Sequence, residues 1–272
     1  WRSSFGLLPF SGVGYNVIDS DVKENIGKVQ YAYEGEGGLS EFYWGNAIRF
    51  GDHFSIGVNA SYIFGTLENI QRISFPDSAH LINTKFDHSL SVKDFKFDIG
   101  VQYYTTLKND LDLIVGAVYS PKASLDADRD QLVRSYRGTV SGIDLVLDTV
   151  KMLQDEAGSV TLPAGYGVGF SLSRNNYWLV GVDYSFENWE AFRSFDESDS
   201  LVNSHTINFG GQVIPDANSL SYFKRVDYRL GFEYDISNLN IRGENLSGFG
   251  ITFGIGLPLR GASIRGSRSM IN

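Results

Sequence analysis

The chain contains no cysteine, which removes disulfide staples, thiolate metal ligands and cysteine nucleophiles together. It has no apolar run approaching the ~20 residues that a membrane-crossing helix needs. Basic residues are also short: 23 Lys and Arg stand against 32 Asp and Glu, a formal net charge of −9, which argues against nucleic acid as a partner. Histidine is scarce, with four residues at 53, 80, 88 and 205 and no two at metal-ligand spacing. His88 beside Ser89 and His205 beside Ser204 point to opposite faces of a strand, so neither makes a serine–histidine couple. The glycines match no phosphate-loop pattern. No catalytic residue, metal or cofactor is expected.

What the chain has is alternation. From Phe54 to Phe64 the even positions Phe54, Ile56, Val58, Ala60, Tyr62 and Phe64 are apolar or aromatic, while Ser55, Gly57, Asn59 and Ser61 are small or polar. A period of two gives a strand with one greasy and one wet face. The pattern returns in Val226 to Tyr234, Trp178 to Phe186, Phe95 to Tyr103, Ile207 to Val213 and Phe249 to Leu257. Many such strands, with 30 glycines, 15 tyrosines and 19 phenylalanines, predict an all-β fold. The specific expectation is a transmembrane antiparallel up-and-down β-barrel in the outer membrane of a Gram-negative bacterium; the competing form is a soluble β-sandwich. Coarse strands fall at about 4–17, 27–50, 53–74, 84–107, 111–127, 158–174, 177–193, 204–215, 225–236 and 247–259, with an eleventh starting near Ser267. Tight turns at Gly51-Asp52, Lys108-Asn109-Asp110 and Arg174-Asn175-Asn176 read as periplasmic, and the longer stretches 18–27, 75–84, 128–158, 195–204 and 236–246 as external. No composition break divides residues 1–272, which read as one barrel domain, incomplete at both ends.

Charges divide in the same way. Lys96, Asp98, Asp183, Glu187, Asp227, Arg229 and Glu233 fall on the polar strand faces, because Lys or Arg on the lipid face at midplane costs ~2–4 kcal/mol. Most read as neutralising pairs across strands. Arg229 is the best candidate for a carboxylate headgroup, as a planar fork, although Asp227 and Glu233 share its face. Phe54, Ile56, Val58, Tyr62, Val180, Val182, Tyr184, Val226, Tyr228, Leu230 and Phe232 are expected to face lipid.

Particular residues carry a family likeness. Gly6-Leu7-Leu8-Pro9-Phe10-Ser11 followed by Val13-Gly14-Tyr15-Asn16 resembles the G-L-x-P-F-S-x-V-x-Y strand of the FadL/TodX family. Gly37-Gly38-Leu39, Gly45-Asn46, Leu162-Pro163-Ala164-Gly165-Tyr166-Gly167-Val168-Gly169-Phe170 and Phe253-Gly254-Ile255-Gly256-Leu257-Pro258-Leu259 are similar to later parts of it, in a Bacteroidetes-like branch. The resemblance implies about fourteen strands in the complete protein, of which this chain covers about ten to eleven, and an N-terminal hatch that is absent here. It also implies an outer-membrane channel for passive uptake of hydrophobic small molecules such as long-chain fatty acids, with membrane lipid and that ligand as partners. The family's fatty-acid-contacting residues do not match position by position. The alternative is a barrel of the same fold serving as a non-transporting accessory or binding subunit of an outer-membrane secretion or assembly complex, with other outer-membrane proteins as partners. A continuous apolar tunnel marks the first, a filled interior the second.

Two segments are singled out under these readings. Residues Ser141 to Ala157 mix Ile143, Leu145, Val146, Leu147, Val150, Met152 and Leu153 with acids at near-helical spacing, predicting a loop helix. Ile143, Leu147, Val150 and Leu153 would form a capture groove for an amphiphile, or the helix would pack on the barrel rim. Gly35, Gly37 and Gly38 predict a bulge or break in pairing between about Glu34 and Leu39, which would open a lateral exit for a ligand. In the accessory-subunit reading, the acidic segment Asp196 to Ser200 and the loop helix are the docking surface.

Overall fold

The structure is a computed structural model that describes residues 1–78, 80–138, 144–174, 177–258 and 270–271. It is all-β, one large antiparallel sheet that is not closed. β1 (Arg2–Gly12) and β2 (Tyr15–Lys23) run end to end along one side of β3 (Gly27–Phe50), and β4 (Phe54–Ser74) covers its other side. β5 (Asn83–Leu107) pairs with β4 and, on its other flank, with β6 (Leu111–Ser120) and then β7 (Ala123–Arg137). β8 (Leu145–Leu162) pairs with β7, and β9 (Gly165–Arg174) with β6. The sheet continues from β9 through β10 (Trp178–Glu187), while the short hairpin of β11 (Arg193–Ser194) and β12 (Glu197–Ser198) sits on the base of β8. β13 (Ser204–Val213), β14 (Asp227–Ile241), β15 (Glu244–Pro258) and β16 (Met270–Ile271) complete it.

The expected strands hold best where turn chemistry is explicit. β3 and β4 pair from Gln30↔Ser74 to Phe50↔Phe54 around the turn at Gly51, whose φ is +58°. Arg242 and Gly243, both at positive φ, join Ile241 to Glu244 as a two-residue hairpin turn. Three expected strands are instead cut in two: at Val13-Gly14, at Pro121-Lys122 and at Pro163-Ala164. Proline has no N–H for the ladder and a fixed φ. The two proline breaks face each other, since Ser120↔Gly165 is the last pair below them and Ala123↔Leu162 the first above. Among the described residues, stretches 18–27, 128–158 and 236–246, expected as loops, are largely strand, so β7 and β8 form an arm above the proline breaks, β7 laddered to β5 from Ala127 to Tyr136.

The loop helix is a second correction. From Leu145 onward this segment is strand β8; Ile143 lies outside the described residues. The β7–β8 register shifts at three places, leaving Leu147, Val150 and the pair Gln154-Asp155 without a partner opposite. Each extra residue inverts the phase of a period-two pattern. Several inversions in a short strand imitate helical spacing.

Across most of the sheet the two faces separate as the alternation implies. Phe54, Ile56 and Val58 stand opposite Tyr103, Val101 and Ile99 on the apolar face, which also carries Val182, Tyr184, Leu230 and Phe232. On the other face one registered row runs Gly116↔Gly169↔Asp183↔Asn208↔Glu233↔Gly250. Val226 departs from expectation: it precedes β14 and is 2% exposed, packed below the strand rather than presented on its apolar face. A single hollow of about 800 Å³ touches Gly57, Gly100, Gly116, Gly169, Gly181 and Gly210 on strands from β4 to β13. The glycine-bearing face is therefore the concave one.

At one level that concave face turns apolar. The row Leu39↔Gly65↔Val92↔Ala127↔Gly158 crosses β3, β4, β5, β7 and β8. Leu39, Val92 and Ala127 join Ile63, Leu125 and Val160 in the buried core, with Phe10, Phe192 and Phe195 packed against it. Gly65, at φ +144°, brings its Cα against the Gly38 carbonyl, and Phe195 lies over Gly158; a side chain at either glycine would hold these layers apart. Leu125 is 1% exposed. Leu125→Ala should therefore destabilise the refolded protein by about 3 kcal/mol, read from the midpoint shift in urea unfolding from lipid vesicles.

Candidate functional site

Directly beneath the core, charges occupy the concave face. Lys96 Nζ lies 2.9 Å from Asp98 and 3.7 Å from Glu41, with the Phe10 ring centre 5.8 Å away. Ser61, which faces Lys96 across the β4–β5 ladder, is fully buried. Apolar core and charge cluster lie next to each other on the concave face.

The wall beside them has a gap. Pairing of β5 with β6 ends at Ile99↔Tyr119 and resumes with β7 at Val92↔Ala127. Side chains bridge the interval: the Asp94 carboxylate accepts the N–H groups of Phe95 (2.6 Å) and Asp126 (3.1 Å), and Lys93 pairs with Asp128 at 3.2 Å.

The residues singled out from sequence are scattered. Arg229 donates Nε and Nη2 to one oxygen of Asp227, at 3.0 and 2.7 Å. Asp227 is 1% exposed, accommodated because Gly256 opposite has no side chain. The fork is thus taken by its own strand. Gly35, Gly37 and Gly38 lie in β3, whose ladder with β4 runs unbroken past them. On the β1–β2 side the ladder lapses between Gly12↔Gly38 and Tyr15↔Gly35, where Val13 N–H bonds to the Gly37 carbonyl at 3.0 Å. Gly37 has a φ of +101°. Leu147, Val150 and Leu153 lie on the arm, far in the sheet from Arg229, so no common site unites the set.

The arm is fastened to the sheet by ion pairs. Arg72 Nη1 donates to both oxygens of Asp144 at 2.9 Å. Arg134 and Lys85 converge on Asp87 at 2.6 and 2.8 Å. Arg129 pairs with Glu156 at 2.8 Å and stacks 4.3 Å above Phe195. Arg129, Arg134, Asp144, Glu156 and Tyr136, buried beside Arg72 and Asp144, were missed in the sequence because they occupy a stretch read as loop. Arg72 and Asp87, with Lys85 beside Asp87, were missed because their partners Asp144 and Arg134 lie there. Ile63 and Leu125 were missed because they lie on the polar face of their strands. The run Tyr62-Ile63-Phe64, apolar on both faces at once, is the signal that marks that level.

Aromatic residues form two tiers on the apolar face. Phe54 and Tyr103 are 4.9 Å apart at one end, as are Tyr62 and Phe95 at the other; Tyr166 and Phe186 stack at 5.1 Å. Phe54 to Tyr62 spans about 26 Å of strand, or about 20 Å of height at a tilt of about 40°, close to the apolar band of an outer-membrane barrel.

The family model BamG matches residues 1–272. No curated protein matches the chain. The BamG match overturns the expected FadL/TodX membership, and with it the reading as a passive channel for fatty acids. The weak glycine-and-aromatic motifs behind that resemblance are what any strand needs when one face is small and the other apolar. The hydrophobic ligand, the capture groove and the lateral exit depended on uptake and are not carried forward.

Burial raises the pKa of Tyr136 above 10.0, Arg72 opposing and Asp144 adding to the shift. A raised folded-state value means that the arm keeps its full stability below pH 10 and loses it as pH climbs beyond. Tyr136→Phe should flatten this alkaline loss, measured as protease susceptibility of the arm between pH 8 and about 11.

Proposed function

Because the chain belongs to the BamG family, which ties it to the bacterial outer membrane or its assembly machinery, BAM, and to outer-membrane proteins as associates, we propose that it is a non-transporting accessory subunit of that machinery. The observation that carries this reading is the family match over residues 1–272. Geometry adds to it. The core around Ile63 and the Lys96–Glu41–Asp98 cluster occupy the concave face where a channel needs a continuous passage.

In this reading the sheet is the wall of a transmembrane β-barrel. The apolar face with its two aromatic tiers meets lipid. The tight turns at Gly51 and at Asn109-Asp110 lie on the periplasmic side, and the β7–β8 arm stands outside. The protein is non-enzymatic and works by contact.

Purification of the full chain from outer membranes in mild detergent should bring the assembly machinery's subunits along in fixed ratio. Depleting the protein should lower the amount of folded outer-membrane proteins. A chain recovered alone, with outer-membrane protein levels unchanged on depletion, would overturn the proposal. For the membrane orientation, Leu230→Arg should cost ~2–4 kcal/mol in vesicle-refolded protein, while the same change at the exposed arm residue Val150 leaves the unfolding midpoint where it was.

A further inference from the structure

The arm has a free edge of an unusual kind. Among the described residues, β8 pairs outward only at Val160 and Thr161, through β11, leaving Leu145 to Gly158 uncovered. An exposed edge strand is a template for indiscriminate pairing unless something blunts it. Here the three register shifts do so, because a bulged strand cannot offer an even row of backbone groups to another strand. Apolar side chains stand exposed along the same edge, Leu147 and Val150 at the bulges themselves. Val150 is 68% exposed and Leu145 67%, with Leu147 and Met152 also more than half exposed. The apolar projection therefore stands on an edge that is protected against strand addition.

Its surroundings carry more acid than base. Whereas Asp144 and Glu156 have arginine partners, Asp130, Asp148 and Asp155 enter no ion pair among the described residues. At the base of the same edge the β11–β12 hairpin adds Asp196, Glu197 and Asp199, exposed and likewise outside any ion pair. Against these six acids stand Lys151, whose ammonium donates to the neutral Gln131 amide at 2.9 Å and keeps its charge, and the exposed Arg137 opposite Leu145, so the patch is net acidic. Acids outside any ion pair around apolar knobs fit a partner with an apolar hollow ringed by Lys and Arg. They repel an anionic lipid surface, which attracts basic segments instead.

We propose that the bulged edge of β8, centred on Leu147 and Val150 and flanked by the β11–β12 hairpin, is the surface by which this chain docks a protein subunit of the assembly complex carrying a basic-rimmed apolar hollow. This inference rests on the accessory-subunit reading and adds the place of contact and its chemistry.

The test uses the full chain in its native membrane, with a photo-crosslinking residue at Val150 and, as control, at Phe209 on the apolar face. Val150 should crosslink to an assembly-complex subunit that co-purifies with the wild type, and Phe209 should not crosslink to that subunit. The charge variant D148K/D155K and the knob variant L147D/V150D should each lower the recovery of that subunit about tenfold or more, the scale of an interface anchor. Heat-modified gel mobility should stay that of the folded barrel. Crosslinks from Val150 to lipid alone, or to nothing, overturn the docking surface even if a variant fails to fold. Full recovery of the subunit with folded L147D/V150D overturns it too, and leaves the accessory role standing. Absence of any assembly subunit from the wild-type preparation overturns the accessory role itself.

Discussion

Register is the constraint on which this molecule depends. In a paired strand every side chain is assigned a face by its partner across the ladder, and a slip of one residue exchanges the faces. From β3 to β4 the ladder runs from Gln30↔Ser74 to Phe50↔Phe54 without a shift, so glycine, serine and charge stay on the concave side through a long strand. On the arm, where the register shifts at three places, the distinction between faces is lost and both sides of β8 are exposed. Where the ladder of β5 lapses altogether, the Asp94 carboxylate takes the Asp126 N–H that no backbone carbonyl reaches. The bond ties β7 to β5 across the lapse, beside the buried Leu125 and Ala127.

The sheet's faces were readable because period-two patterning is a local property. Phe54 to Phe64 states its own geometry, and the cross-strand rows follow once neighbouring strands obey the same rule. The core was not readable for the same reason. Ile63, Val92 and Leu125 lie on the wet side of their strands, and only pairing across β4, β5 and β7 shows them meeting. Long-range register makes that core, and no window of sequence contains it. The arm misled in the opposite direction: a regular spacing was visible at Leu145 to Leu153, and its cause, bulging, was not. Turn residues limited the error elsewhere, since Gly51 and Arg242-Gly243 mark their hairpins directly.

Family was harder to read than fold. Glycine on a concave face and aromatics on the opposite face are demanded by curvature and packing, so sheets of different families arrive at similar strings of residues. Motifs of that composition report an architecture, and what the chain does lies in features specific to it: a concave face turned apolar at the level of Ile63, an arginine fork satisfied within its own strand, and an arm held by Arg72, Arg129 and Arg134.

Pro121 and Pro163 stand at the same height on two neighbouring strands. A break shared by both strands of a hairpin is a seam at which chain length can change over evolution. Residues added in pairs at the far ends of β7 and β8, past Tyr136 where pairing with β5 stops, lengthen the arm and leave β7 and β6 in step with β5, and β9 in step with β10. Below the seam any insertion has to be matched by every strand around the sheet. Members of one lineage can therefore share a wall of fixed height and differ freely in how far, and toward what, the arm extends.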